Sequence, residues 1–295
     1  MLSGGAAIGA YLSKDGITYI TDTLLHPNER EERQQILDQL VEAYPLPHLC
    51  QAYYDPDKEI LAQAPSTYPA QIVANPEYRE LIFRLLISEM QNSTPYSEDG
   101  IVSQLEEAIR LRVEEAIRNV PDECALTLYY TPLFGKGAPS HIYLFKSAFE
   151  DRVRELDGKP FIMLGEEKIK VVYIHERFHA QQYSEGLDFG DGLVIDNANY
   201  SSINPMVRDF LIESSAYMDT FDFFRQSRGD ELALIYSAYE IDWVFDNCER
   251  LVPYIDTFTQ YEKRLLKAQV IRLDKIIPEI RGVLLGEPVA EPNMP

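Results

Sequence analysis

The segment 171-VVYIHERFHAQQY-183 places His175 and His179 four residues apart, with Glu176 directly after the first. On a helix, residues at that spacing stand one turn above each other, so both imidazoles can reach one metal ion. Glu176 is turned about 100° from His175, which sets it beside such an ion rather than on it. A carboxylate there can take a proton from water activated by the metal, as a general base. The pattern is HExxH, which is short enough to arise by chance, and a buried histidine pair making ordinary hydrogen bonds has the same sequence. Two histidines do not complete a zinc site. A third protein ligand is required.

Two downstream glutamates compete for that place. Glu185 lies six residues after His179, and a helix continuing to it rotates about 600°, off the histidine face. A chain reversal that rescued it would want glycine near 182, where the chain has Gln182, a good helix former. Glu213 follows His179 by 34 residues, on a helix that Asn204 and Pro205 are expected to start. The intervening loop is long enough to bring the two helices together. HExxH followed by a glutamate on a later helix resembles the gluzincin group of zincin metallopeptidases, over about residues 160–228. The metzincin continuation, glycine at 182 and histidine at 185, is replaced by Gln182 and Glu185, and the aspzincin GTxD is absent. The resemblance implies a peptidase in which His175, His179 and Glu213 hold Zn2+, with Glu176 as general base and then proton donor to the leaving amine. In that group an acid four residues after the glutamate often steadies a ligand histidine. Here that position is Tyr217, so Tyr217 or Asp209, one turn before Glu213, is expected to serve instead.

Peptide hydrolysis also builds negative charge on the carbonyl oxygen, which requires a donor besides the metal. No histidine follows His179, so the candidates are Tyr200, Tyr217, Tyr236 and Tyr239; Tyr217 is taken as catalytic and Tyr200 as a substrate or supporting contact. His141, in a strand-like run, reads as structural. Three rival readings stand beside the peptidase. A di-iron carboxylate bundle needs two Glu-x-x-His motifs, and only Glu176–His179 matches. A calcium loop at Asp188–Asp196 lacks EF-hand spacing. The third is a non-catalytic acidic binding protein on a zincin-like fold.

Charge narrows the partners. The 295 residues carry 48 acidic against 27 basic side chains, a formal charge of −21, which disfavours phosphate backbones and anionic lipid. Residues 185–222 hold eight acids against the single base Arg208, which predicts a basic peptide or protein substrate. Cys50, Cys124 and Cys248 are odd in number, scattered and without a CxxC pair, as in a reducing compartment. The first residues lack a positive n-region, and no apolar run reaches the roughly 20 residues of a membrane span. The expectation is a cytoplasmic protein, or one exported without a classical signal, such as an effector.

Periodicity supplies the elements that must position these groups. Helical spacing covers 28–44, 75–92 and 98–119, a short strand is expected at 17–21, and the proline-spotted stretch from 45 to about 75 reads as loop. After Pro121 come β-prone runs at 125–134, 141–149 and 160–164, and then a long helix from about Glu166 that carries HExxH. A glycine- and aspartate-rich loop, 186–204, leads to the capped helix ending near Gly229, and helix continues to about Gly286 with a break at Pro253. The sum is an α+β chain, mainly helical, with a small sheet packed on the HExxH helix. It divides into a helical, substrate-selecting region 1–120, a zincin-like catalytic domain 121–286 and a disordered tail 287–295.

Overall fold

The first helix, α1 (Glu29–Ala43), opens on three acids, Glu29, Glu31 and Glu32, that complement its positive N-terminal dipole, and it buries Leu37 and Leu40. It stops just before Pro45, as the sequence predicts. The chain then departs from expectation. The stretch read as loop contains β1 (Cys50–Tyr54) and α2 (Glu59–Ala74), which runs through Pro65 and Pro69. The signal for the start of α2 comes from farther back. The fully buried Asp55 carboxylate accepts from the backbone N–H groups of Ile60 and Leu61 at 3.1 and 2.8 Å. Lys58 takes the left-handed backbone, φ 58°, that lets the chain turn between them.

The structure is a computed structural model that describes residues 29–76, 124–129, 133–137, 139–156, 159–227 and 230–285, with isolated positions 79, 80, 103, 107, 110 and 111. The expected strand at 17–21, nearly all of the helices at 75–92 and 98–119, and the tail 287–295 lie outside the described residues.

The sheet has the order β1-β3-β2, with β2 (Ala125–Tyr129) antiparallel and β1 parallel to the central β3 (Ser140–Leu144). All five residues of β3 are buried, as a central strand covered on both faces requires. The strands are shorter than the runs that announced them, and Lys146–Phe149 forms a 3-10 turn. Since β1 precedes residue 120 and pairs with β3, the sheet draws strands from both sides of the expected boundary at 120. Next comes a two-stranded hairpin of β4 (Arg152–Leu156) and β5 (Lys159–Met163). Its first strand, RVREL, was not anticipated, because three of its five residues are charged.

Helix α3 (Gly165–Glu185) carries HExxH and packs on β2 and β3 through Ile169, Tyr173, Ile174 and Ala180. Each fully buried large apolar side chain of this kind contributes about 1.5–3 kcal/mol. Its first residue has to be glycine, since a Cβ on Gly165 would lie 2.1 Å from the Phe149 carbonyl oxygen. At the other end, the Gly135 and Gly137 N–H groups of the β2–β3 connection donate to the carbonyls of Tyr183 and Ser184, at 2.8 and 2.7 Å. These bonds tie the helix terminus to the sheet.

After α3 a small hairpin, β6 (Leu187–Asp188) and β7 (Val194–Ile195), occupies the loop. Helix α4 (Pro205–Gln226) starts as predicted, with the Asn204 side chain accepting from Met206 N–H and Pro205 in the first turn. It lies along α3 and against α5 (Glu231–Glu240), α6 (Asp242–Leu251) and α7 (Gln260–Leu285). The break at Pro253 is a 3-10 segment, Val252–Thr257, while Pro278 sits inside α7 without ending it. The result is α+β and mainly helical, and no helix among the described residues is long and apolar enough to cross a membrane.

Candidate metal centre

α3 and α4 pack side by side, and that contact brings Glu213 to the two motif histidines. His179 Nε2 lies 3.0 Å from His175 Nε2 and 3.2 Å from Glu213 Oε2, and His175 Nε2 lies 3.5 Å from the same oxygen. The buried His179 also has Gln182 Oε1 3.2 Å from its Nδ1. If Nδ1 carries the proton for that bond, the Nε2 lone pair faces the other two donors. Three lone-pair atoms this close repel one another unless a cation sits among them, either a proton or a metal ion. The same conflict appears in the titration behaviour. Burial alone would lower the His179 pKa, but the Glu213 carboxylate, helped by Glu176, outweighs it and raises the imidazole above its ordinary value. Burial likewise opposes ionisation of Glu213, yet His179 and His175 hold its carboxyl far below the usual carboxylate range.

The donor set fits zinc. Ligand atoms at ~2.0–2.1 Å from a tetrahedral ion stand ~3.3–3.4 Å apart, and the three separations here bracket that value. Among the described residues these three form the one group of histidine, cysteine and acidic side chains able to converge in this way.

Glu176 is buried beside the triad, 9% exposed, and lines the same cavity of about 550 Å3 as the three candidate ligands. Its Oε2 accepts a hydrogen bond of 2.5 Å from Thr127 Oγ1 on β2. Tyr217 also lines the cavity, and its ring stands 4.3 Å from that of His175, between it and Trp243 at 5.4 Å. The expected tyrosine therefore borders the site, packed on the His175 ring.

Two other expectations fail. Asp209 does not support the centre: its side chain is 64% exposed and pairs with Arg208 at 3.1 Å, while its neighbours Val207 and Phe210 turn into the core. Gln182 holds the histidine instead. Tyr200 is not in the cavity but in the core, 3% exposed, with its hydroxyl 2.5 Å from that of Tyr129. Tyr129 stacks on Tyr183, which in turn lies parallel to His179, so Tyr200 is separated from His179 by two intervening rings. Tyr236 is likewise structural, bonded to Leu164 N–H and the Ile162 carbonyl, and the buried Tyr239 does not line the cavity.

His141 is confined to the sheet, with Tyr143 Oη 3.1 Å from its Nδ1 and the rings of Tyr53 and Tyr68 edge-on to it. The competing Glu185 ends α3, accepts from Gln181 at 3.0 Å and borders a different cavity of about 700 Å3. Asp188, Asp191 and Asp219 line that second cavity too, opposite Arg272 and Lys275, and Arg272 pairs with Asp219. Of the eight acids in 185–222, Glu213 alone lines the cavity at the triad.

Sequence reasoning missed Gln182, Thr127 and Trp243. Gln182 carried a usable signal, since it stands three residues after His179 and so on the same helix face. Thr127 and Trp243 carried none, being brought in from other elements. Comparison of the chain with protein-family models, with curated proteins and with solved structures gives no match.

Proposed function

We propose that this chain is a zinc-dependent metallopeptidase, with His175, His179 and Glu213 as ligands and Glu176 as general base, on a zincin-like fold. The observation that carries the reading is the convergence of three lone-pair donors at 3.0, 3.2 and 3.5 Å, with a carboxylate beside them on the same helix. Zinc held there supplies Lewis acidity, acidifying water and polarising a carbonyl. Glu176 accepts the proton of the attacking water and returns it to the leaving amine nitrogen. Glu213 adds negative charge to the ligand set, and Gln182 keeps His179 in the tautomer that offers Nε2. Tyr217 holds His175 by ring packing and borders the space beside it, where a hydroxyl donor could meet a developing oxyanion.

A peptide or protein, rather than a small molecule, is favoured as substrate by the sheet. β2 is an edge strand among the described residues, and Ala125, Leu126 and Thr127 line the cavity, so an extended chain could pair along it. Met163, Val172 and Trp243 supply an apolar wall for a side chain next to the scissile bond. The basic preference expected from the acidic stretch gains no support here. Apart from the ligand Glu213 and the base Glu176, the charged lining is Arg152, Lys168 and Glu240.

A second reading answers to the same geometry. A proton shared between His179 and Glu213 also relieves the repulsion, which leaves a non-catalytic acidic binding protein. Metal analysis of purified protein together with Glu176→Gln separates the two. One zinc per chain, and a loss of peptide hydrolysis of 10²–10⁴-fold in Glu176→Gln with zinc retained, are the expected results. Absence of zinc, or a Glu176→Gln variant with wild-type turnover, would refute the peptidase.

A further inference from the structure

We infer that Thr127 is a positioning residue for Glu176, an inference that rests on the peptidase reading and assigns the device that holds its base. Thr127 stands on β2, 49 residues before Glu176, and its hydroxyl donates to Glu176 Oε2 at 2.5 Å while lying 3.4 Å from the Glu176 carbonyl oxygen. Both side chains are buried, 7% and 9% exposed. A hydroxyl–oxygen separation of about 2.5–2.7 Å is that of a hydroxyl donating to an ionised carboxylate. The other oxygen, Oε1, makes no hydrogen bond to a described residue, and Glu176 lines the metal-site cavity. One oxygen is thus pinned and the other is left to carry the proton.

The source of the hydroxyl matters. It comes from the edge strand whose residues 125–127 line the cavity, not from the helix that bears the motif. Thr127 sits in register with Ile142 of the buried central strand, so its own position is fixed by the sheet. Placement of the base and docking of an extended substrate therefore depend on one strand. Reacting groups misplaced by about 1 Å can cost on the order of 10²-fold in rate, which sets the scale of what this bond protects.

Thr127→Val keeps the shape and removes the donor, and Thr127→Ser restores a donor without the methyl. In the zinc-loaded full chain, Thr127→Val should lower kcat about 10–100-fold with KM and zinc content held, and Thr127→Ser should recover most of the loss. A second readout needs neither zinc nor turnover. The infrared carboxylate band of Glu176, isolated as the difference between each protein and its Glu176→Gln counterpart, should shift in Thr127→Val and return in Thr127→Ser. Wild-type kcat in Thr127→Val, a serine variant as impaired as the valine one, or an unmoved band would each overturn the inference. A wild-type chain that binds zinc but cleaves no peptide is a distinct outcome: it removes the peptidase reading and takes this inference with it.

Discussion

The buried histidine outside the candidate metal centre gives a sharp test of how the sheet is built. His141 lies 2% exposed on the central strand, with Tyr143 Oη at its Nδ1 and the rings of Tyr53 and Tyr68 packed against it. Burial disfavours a charged ring and pushes the imidazole from its ordinary 6.5 down to about 4. The sign follows directly. Below pH 6.5 the unfolded chain binds a proton that the folded chain refuses, so stability is fully present above 6.5 and falls as the pH drops toward 4. With those two pKa values, linkage gives a loss of about 2 kcal/mol at pH 5 and about 3 kcal/mol at pH 4. The assay is urea unfolding of wild type and His141→Gln across pH 7.5 to 4, in chelator so that metal binding contributes nothing. Other titrating groups are common to both chains and cancel in the difference. Whatever the variant costs at pH 7.5, its disadvantage should shrink by those amounts on acidification. A difference constant within about 0.5 kcal/mol down to pH 5 would refute the neutral, buried assignment of His141.

Glu213→Ala should weaken zinc by at least the ~10–100-fold that loss of even an outer hydrogen-bond partner produces, whereas Glu185→Ala and Asp209→Ala should leave it nearly unchanged. Zinc titration of the three purified variants decides this, and a Glu185 effect exceeding that of Glu213 would rule out the triad. His175→Ala and His179→Ala should each lose stoichiometric zinc, read by metal analysis after dialysis. A peptide-library cleavage profile should select apolar side chains beside the scissile bond, and Trp243→Ala should flatten that selection. A strong basic preference there would contradict the charge of the cavity lining.

Much of the centre was legible because helices repeat. The spacing of His175, Glu176 and His179 needs only 3.6 residues per turn to be read, and the Asn204-Pro205 start fixed where Glu213 would ride on α4. The same logic discarded Glu185, and α3 does run on to it, ending at Gly186 with φ 82°. Reading failed where the partner of a residue is distant. Asp209 shares a helical row with Glu213, yet only the packing of α4 decides which turn meets α3 and which meets water. β1 and α2 were hidden because Asp55 caps from five and six residues away, while prolines suggested a loop. The acids of 185–222 share one stretch of sequence, but four of them border the second cavity and only Glu213 borders the one at the triad, so their summed charge said nothing about it.

What the sequence by itself determined is thus local and periodic: an α+β chain, mainly helical, with two histidines one turn apart and a carboxylate beside them. Tertiary structure alone decided the third donor's approach to 3.2 Å, the Thr127 hydroxyl on the base and the aromatic stack behind His179. The physical reason is range. Helical periodicity and capping act over a few residues and can be read along the chain. Burial and hydrogen bonding between elements depend on which faces pack together, and one face of α3 acquires its partners from β2, 49 residues earlier, and from α4, 34 residues later.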